Sequence, residues 1–267
     1  MQTLDGLGRS LTLPQPPQRI VSLVPSLTEW LFTVGAGQRV VGITDYCLEP
    51  AADLVGLPRL RGTKNPDRAA IIALRPDLVL VDQEENRERD VQALTAAGLA
   101  VYATAIRRVT DVPAQLGALA ALLGVSAAAA PGLDAIQAAI REHEQAGDSR
   151  QTVLCFIWRD PWMVVGAATY ADDLLALAGF ANLAHQLPGR YPRASLEQFM
   201  ALRPDLILLP NEPYVFSVTD FEAFAPFSDV PAVQQQRIIL CDGMALTWPG
   251  PRTVAALHTF GKFSAAI

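Results

Sequence analysis

The tract Ala73-Leu74-Arg75-Pro76-Asp77-Leu78-Val79-Leu80-Val81 returns, almost unchanged, as Ala201-Leu202-Arg203-Pro204-Asp205-Leu206-Ile207-Leu208-Leu209. Solenoid repeats recur at roughly 20–50 residues, so a return at this distance means two copies of one larger unit. In each copy a helix runs into a proline, which lacks a backbone donor and biases its predecessor away from helix. An aspartate turn follows. Then comes an apolar run without polar alternation, as expected of a parallel strand covered on both faces. The chain reads as two similar α/β lobes with a ligand between them.

Composition narrows the class. A chain of 267 residues can hold two domains of ordinary size, and 51% hydrophobic with 18% charged residues supplies two cores and excludes disorder. A net charge of −6, a pI near 5.1 and the lack of a Lys/Arg block with interleaved aromatics exclude nucleic acid as a partner. No apolar run approaches the roughly 18–20 residues of a membrane helix, so no membrane insertion is expected. Met1 to Arg19 carries Arg9, Asp5, two glycines and three prolines, with no apolar stretch of the signal-peptide kind. That pattern sets a cytoplasmic expectation, with a periplasmic or cell-surface location as the alternative if residues precede the given start. Cys47, Cys155 and Cys241 are odd in number and imply no disulfide framework.

Along the chain, residues 1–18 read as an extended lead-in. Strands are expected over 19–24, 40–44, 77–82 and 99–104. Helices are expected from Pro25, capped by Ser26 with Glu29 in capping-box position, and over 66–75 and 86–98. No strand signal occurs from Asp111 to about Gly147, where two helices, 111–123 and 127–145, are expected. The resulting division is an N-terminal lobe over 19–125, a long connector helix over 126–147 and a C-terminal lobe over 148–267. In the second lobe, strands are expected over 152–157, 206–210 and 237–241. Helices are expected over 171–178, 195–203 and from Gly250 onward.

Ligands of open parallel sheets sit beyond the carboxyl ends of the strands. Those ends hold Tyr46, the run Asp82 to Asn86, Trp158 to Trp162, Pro210 to Tyr214, and Asp242 with Trp248 and Arg252. Three of the four tryptophans (158, 162 and 248) fall there, which suits a large, flat, partly apolar ligand. The carboxylates Asp82, Glu84, Glu85, Glu212 and Asp242 could serve as acids and bases. With no serine–histidine pair beside them, helix capping and loop solvation account for them better. His143, His185 and His258 show no metal-ligand spacing, so no bare-metal site and no resident cofactor are expected. Gly35-Ala36-Gly37 follows a helix rather than a strand, so it ends that helix and is no dinucleotide motif.

Arg19-Ile-Val-Ser-Leu-Val-Pro-Ser-Leu-Thr-Glu29, Val41-Gly-Ile-Thr44, Gly62-Thr-Lys-Asn-Pro-Asp67 and the repeated Leu-Arg-Pro-Asp-Leu, in this order, resemble the class III, helical-backbone solute-binding proteins of ABC importers. The resemblance runs from about residue 19 to the C-terminus and is nearest to the cobalamin-binding branch. It implies two Rossmann-like lobes with parallel sheets joined by one long helix, and a non-catalytic monomer. The implied ligand is a metal chelate: a corrinoid such as cobalamin first, haem or a ferric siderophore next. Tyr46, Trp158, Trp162, Tyr170 and Trp248 would wall it, while Glu84, Glu85, Arg190, Asp242 and Arg252 would meet its polar edge. Family receptors carry one glutamate per lobe for docking on the importer permease. Glu197 supplies the second, but Ala69 stands where the first belongs. The alternative from another class is a chelatase-like, tetrapyrrole-handling enzyme on the same bilobal plan.

Overall fold

The computed structural model describes residues 1–144 and 151–265, which form two compact units. Unit 1 comprises Met1–Ile106, Thr110–Gln137 and Pro249–Pro251. Unit 2 comprises Arg107–Val109, Ala138–Trp248 and Arg252 onward. The units therefore exchange two short segments that a division at 125 and 148 leaves in the wrong half, and the expected connector end at 147 lies outside the described residues.

Unit 1 opens with a hairpin, β1 (Gln2–Leu4) and β2 (Ser10–Thr12), in place of a plain extended lead-in. The Asp5 carboxylate makes the turn by accepting the Leu7 and Arg9 amides at 3.0 and 2.9 Å, a device short polar side chains use to compete with regular structure. Next come β3 (Ile20–Ser22), α1 (Pro25–Thr33), β4 (Val40–Ile43), α2 (Arg68–Ala73), β5 (Leu78–Asp82), α3 (Glu88–Ala96), β6 (Val101–Thr104), α4 (Asp111–Leu123) and the first part of α5 (Ser126–Glu144), which passes into unit 2 at Ala138. The sheet runs β4-β3-β5-β6, all parallel. Helix α1 starts differently from expectation: Pro25 fills its first position, Val24 precedes it, and Ser26 lies inside the helix instead of capping it. Proline suits that position because its missing N–H would have had no partner there. One face of the sheet buries Val21, Leu23, Val79, Val81 and Ala103 with Ile71, Val91 and Leu94.

Unit 2 contains β7 (Gln151–Trp158), β8 (Met163–Val164), α6 (Tyr170–Leu177), β9 (Phe180–Asn182), α7 (Leu196–Met200), β10 (Leu206–Pro210), α8 (Pro231–Gln234), β11 (Ile238–Cys241), α9 (Gly243–Thr247) and α10 (Thr253–Ala265). The first half of β7 pairs with β9 in parallel, while its far end pairs with β8 antiparallel, a short element the apolar pattern did not signal. The parallel path is β9-β7-β10-β11. It matches β4-β3-β5-β6 strand for strand, with the repeated tract supplying β5 in one unit and β10 in the other.

The repeat has a local physical cause. Arg75 and Arg203 both take left-handed backbone, φ 47° and 55°, so the chain leaves its helix and enters a strand within three residues. The following aspartate then anchors the start of the neighbouring parallel strand, β3 in unit 1 and β7 in unit 2. Asp77 accepts the Gln18 and Arg19 amides at 2.8 and 2.9 Å, and Asp205 accepts the Thr152 amide and hydroxyl at 2.9 and 2.6 Å. The proline closes the helix, the arginine turns the chain, and the aspartate aligns two neighbouring strands.

Candidate functional site

In unit 1 the loops after β3, β4 and β5 are laced together by side chains. Asp82 folds the loop behind β5 as an Asx turn, its Oδ1 accepting the Glu84 and Glu85 amides at 2.7 and 3.3 Å. Its other oxygen accepts the Thr104 hydroxyl at 2.7 Å. Asn86 accepts the Asp82 amide at 2.9 Å and donates to the Leu23 and Thr63 carbonyls at 3.3 and 3.0 Å, so one buried amide joins three loops. Lys64 donates to the Glu84 carbonyl. Burial pushes the Asp82 and Glu85 carboxyls above the usual range, opposed at Asp82 by its hydrogen bonds and at Glu85 by Lys64 and Thr63. Tyr46, after β4, is 59% exposed, and its ring edge lies over Gly62, where a Cβ would come within 3.0 Å of it. Tyr46, Glu84 and Glu85 thus belong to one set of strand-end loops.

In unit 2 the strand ends carry a chain of aromatic contacts. Trp158, 41% exposed, meets Tyr214 edge-on at 5.9 Å, Tyr214 meets Phe216 at 4.6 Å, and Phe216 stacks on Trp162 at 6.2 Å. Trp162 in turn packs edge-on against Phe156 and Phe224 in the core. Arg159 lies 5.4 Å from the Trp162 ring centroid and donates to Asp220 at 2.5 Å. Its hydrogen bonds from Ser217 and Arg159 hold Asp220 below the usual carboxylate range against the opposing effect of burial. A second group joins Asp242, Arg252 and Trp248. The Arg252 guanidinium is 3.6 Å from the Asp242 carboxylate and 5.3 Å from the indole centroid. Asp242 also caps α9 through the Met244 and Ala245 amides.

Several expected ligand residues turn out to be packed. Tyr170 is 5% exposed, with its hydroxyl 2.9 Å from Thr253, so its ring belongs to the α6–α10 interior and presents no wall. Trp248, also 5% exposed, has one indole face under Arg252, and Trp162 is half-buried. Arg190 donates through Nε to the Ala168 carbonyl at 3.0 Å, tying two loops. Glu197 stands exposed on α7, whose start is closed by a capping box between Ser195 and Gln198. It lines a surface cavity of about 270 Å³ with Met200, Arg203, Phe227 and Asp229, which none of the expected ligand residues borders. Ala69 is the exposed equivalent on α2, and Asp67 before it is occupied in capping the Ala70 amide at 3.1 Å. Arg159 and Tyr214 lie inside strand-end runs visible in the sequence, but their pairing with Asp220 and Trp158 spans segments too distant to read there. Among the described residues no group of three His, Cys, Asp or Glu side chains is placed to hold a metal ion. His143 and His258 do approach to 5.8 Å between ring centroids.

The model of a family described as periplasmic binding protein matches residues 20–245. A vitamin B12-binding protein of Pectobacterium carotovorum is 25% identical over 74% of this chain and 72% of its own length. Among solved structures, the periplasmic vitamin B12 binding protein BtuF of Vibrio cholerae superposes with a TM-score of 0.81 at 21% identity, covering 94% of this chain and 98% of its own. The periplasmic heme-binding protein RhuT of Roseiflexus sp. RS-1, in apo form, gives 0.80 at 27% identity, covering 92% and 99%. These relatives favour the periplasmic alternative, and none of them supports the cytoplasmic expectation.

Proposed function

Because the chain belongs to the periplasmic binding protein family, we propose that it is a non-catalytic receptor for a corrinoid, acting outside the inner membrane and handing its cargo to an ABC importer. The observation that carries the ligand choice is the loop rim of unit 1. Glu84 and Glu85 stand on one turn around Asp82, whose own oxygens are occupied by the Glu84 and Glu85 amides and the Thr104 hydroxyl. Such a rim suits the amide side chains of a corrinoid. Burial there already disfavours negative charge on Asp82 and Glu85, so the two carboxylates of a haem would be opposed. The vitamin B12-binding names of the curated relatives agree with the choice. Trp158, Tyr46, Glu84 and Glu85 head the contact list, with Trp162, Trp248, Arg190, Asp242 and Arg252 behind them. The protein works as a monomer with no resident cofactor, the chelate being cargo.

Titration with cyanocobalamin, cobinamide, haemin and a ferric siderophore, read by tryptophan emission and by calorimetry, tests this. The corrinoids should bind at about 1 µM or tighter and haemin more weakly. Haemin binding tighter than both corrinoids would transfer the assignment to haem, and silence from all four would end it. Metal insertion into a free porphyrin by the purified protein would restore the chelatase-like alternative.

A further inference from the structure

Beneath the Tyr46 loop lies a buried row of small polar groups that ligand contact leaves unexplained. Ser22, Thr44 and Cys47 at the carboxyl ends of β3 and β4, and Thr28 in α1, are each fully buried. The Cys47 sulfur is 3.2 Å from Thr44 Oγ1 and 3.1 Å from Thr28 Oγ1. Thr28 Oγ1 is 2.9 Å from Ser22 Oγ, and Ser22 donates to the Val24 carbonyl at 3.2 Å. Thr28 Oγ1 also lies 3.0 Å from the Val24 carbonyl, so the row ends on that carbonyl from both Thr28 and Ser22. Every member thereby has a partner, as a buried hydroxyl or thiol must to avoid a desolvation penalty. Burial raises the Cys47 thiol above its ordinary value. From the other side Arg59 donates to the Thr44 and Cys47 carbonyls at 3.0 and 2.7 Å. The residues flanking Cys47 in sequence, Tyr46 and Leu48, are both exposed, so Cys47 is the one inward anchor of this turn.

We infer that Cys47 is a positioning residue, whose thiol pins the loop after β4 to β3 and α1 and so fixes the angle at which Tyr46 meets the ligand. The inference rests on the receptor reading for its functional half. Preorganised aromatic contacts gain affinity because the ordering cost is met before binding.

The test is a double-mutant cycle with cyanocobalamin as the probe. Cys47→Ala should weaken binding about 3- to 10-fold, while Cys47→Ser, which still donates and accepts, should restore most of the loss. In a Tyr46→Ala background the same Cys47→Ala change should alter affinity less than about 2-fold, because its effect passes through the missing ring. Equal weakening in both backgrounds would overturn the inference, since general damage to the fold does not depend on Tyr46. If Cys47→Ala does not fold, Thr44→Val removes one hydroxyl partner of the sulfur and runs the same cycle. Hydrogen exchange of the Asp45 and Cys47 amides in the ligand-free protein supplies an independent readout. Faster exchange in the variants with none of the four chelates bound would leave the pin standing and remove the receptor reading. Unchanged exchange would sink the pin itself.

Discussion

Trp158 and Trp248 occupy matching strand-end positions in the sequence, yet one is largely open and the other packed under Arg252. Their alanine variants should therefore diverge. Trp248→Ala should cost about 3–5 kcal/mol of unfolding free energy, the range for emptying a large aromatic site in a core. Trp158→Ala should cost under about 1 kcal/mol and instead weaken corrinoid binding by about 1–3 kcal/mol. Urea melts and titrations of both proteins check this, and a Trp158 variant with normal affinity would remove it from the contact list. Glu85 offers a pH test. Burial raises its carboxyl in the folded chain, so the protonated form favours folding. That contribution is complete below the ordinary carboxylate range and fades as pH climbs through the raised value. Glu85→Gln, which cannot ionise, should match the parent near pH 4 and resist urea better at about pH 8. A gap of equal size at both pH values would show that ionisation plays no part. The strand-end rule put Tyr46, Glu84, Glu85 and Trp158 at or beyond the ends of parallel strands, where the structure has them, because position along a strand is written in the order of residues. That Tyr170 and Trp248 are packed could not be read there, because burial against a distant segment is not.

At the level of elements the duplicated tract was legible because its proline, aspartate and unbroken apolar run each act on neighbours in sequence. Both β5 and β10 appear where that run predicts. What stayed hidden was non-local or short: β8, only two residues long, exists because the far end of β7 needs a partner. The hairpin at residues 2–12 depends on an Asp5 side chain folding back on its own amides. The tract can be tested in pieces. Arg75→Gly places the residue that tolerates left-handed backbone where one is already required, and should raise stability by on the order of 0.5–1 kcal/mol. Asp77→Ala removes the acceptor of the Gln18 and Arg19 amides and should lower it by about 0.5–1.5 kcal/mol, as should Asp205→Ala through Thr152. Chemical denaturation reads all three. Stability unchanged in both aspartate variants would mean that the strands align without them.

For the whole molecule, the matching repeat brings out one difference between the units: Glu197 on α7 stands where α2 has Ala69. If importers engage a carboxylate on each unit, Ala69→Glu should increase stimulation of the cognate corrinoid importer's ATPase, and Glu197→Ala should nearly abolish it. One lost partner of a charged interface pair commonly costs about 2–5 kcal/mol. Reconstituted importer in lipid discs gives the measurement, and an Ala69→Glu protein no better than its parent would show that this importer reads a single contact. The exchange of segments between units has a different consequence, for anyone who would treat the halves as interchangeable modules. Val109 is fully buried in unit 2, its amide held by Asp173 at 2.7 Å, although it is encoded before the connector helix. Pro249–Pro251 belongs to unit 1 although it is encoded almost at the end, and a Cβ added at Gly250 would touch Leu116 and Trp30. A gene cut at the connector would yield two fragments, each missing a plug that the other carries. Shuffling halves between relatives should therefore succeed only when these two short segments travel with the unit they complete.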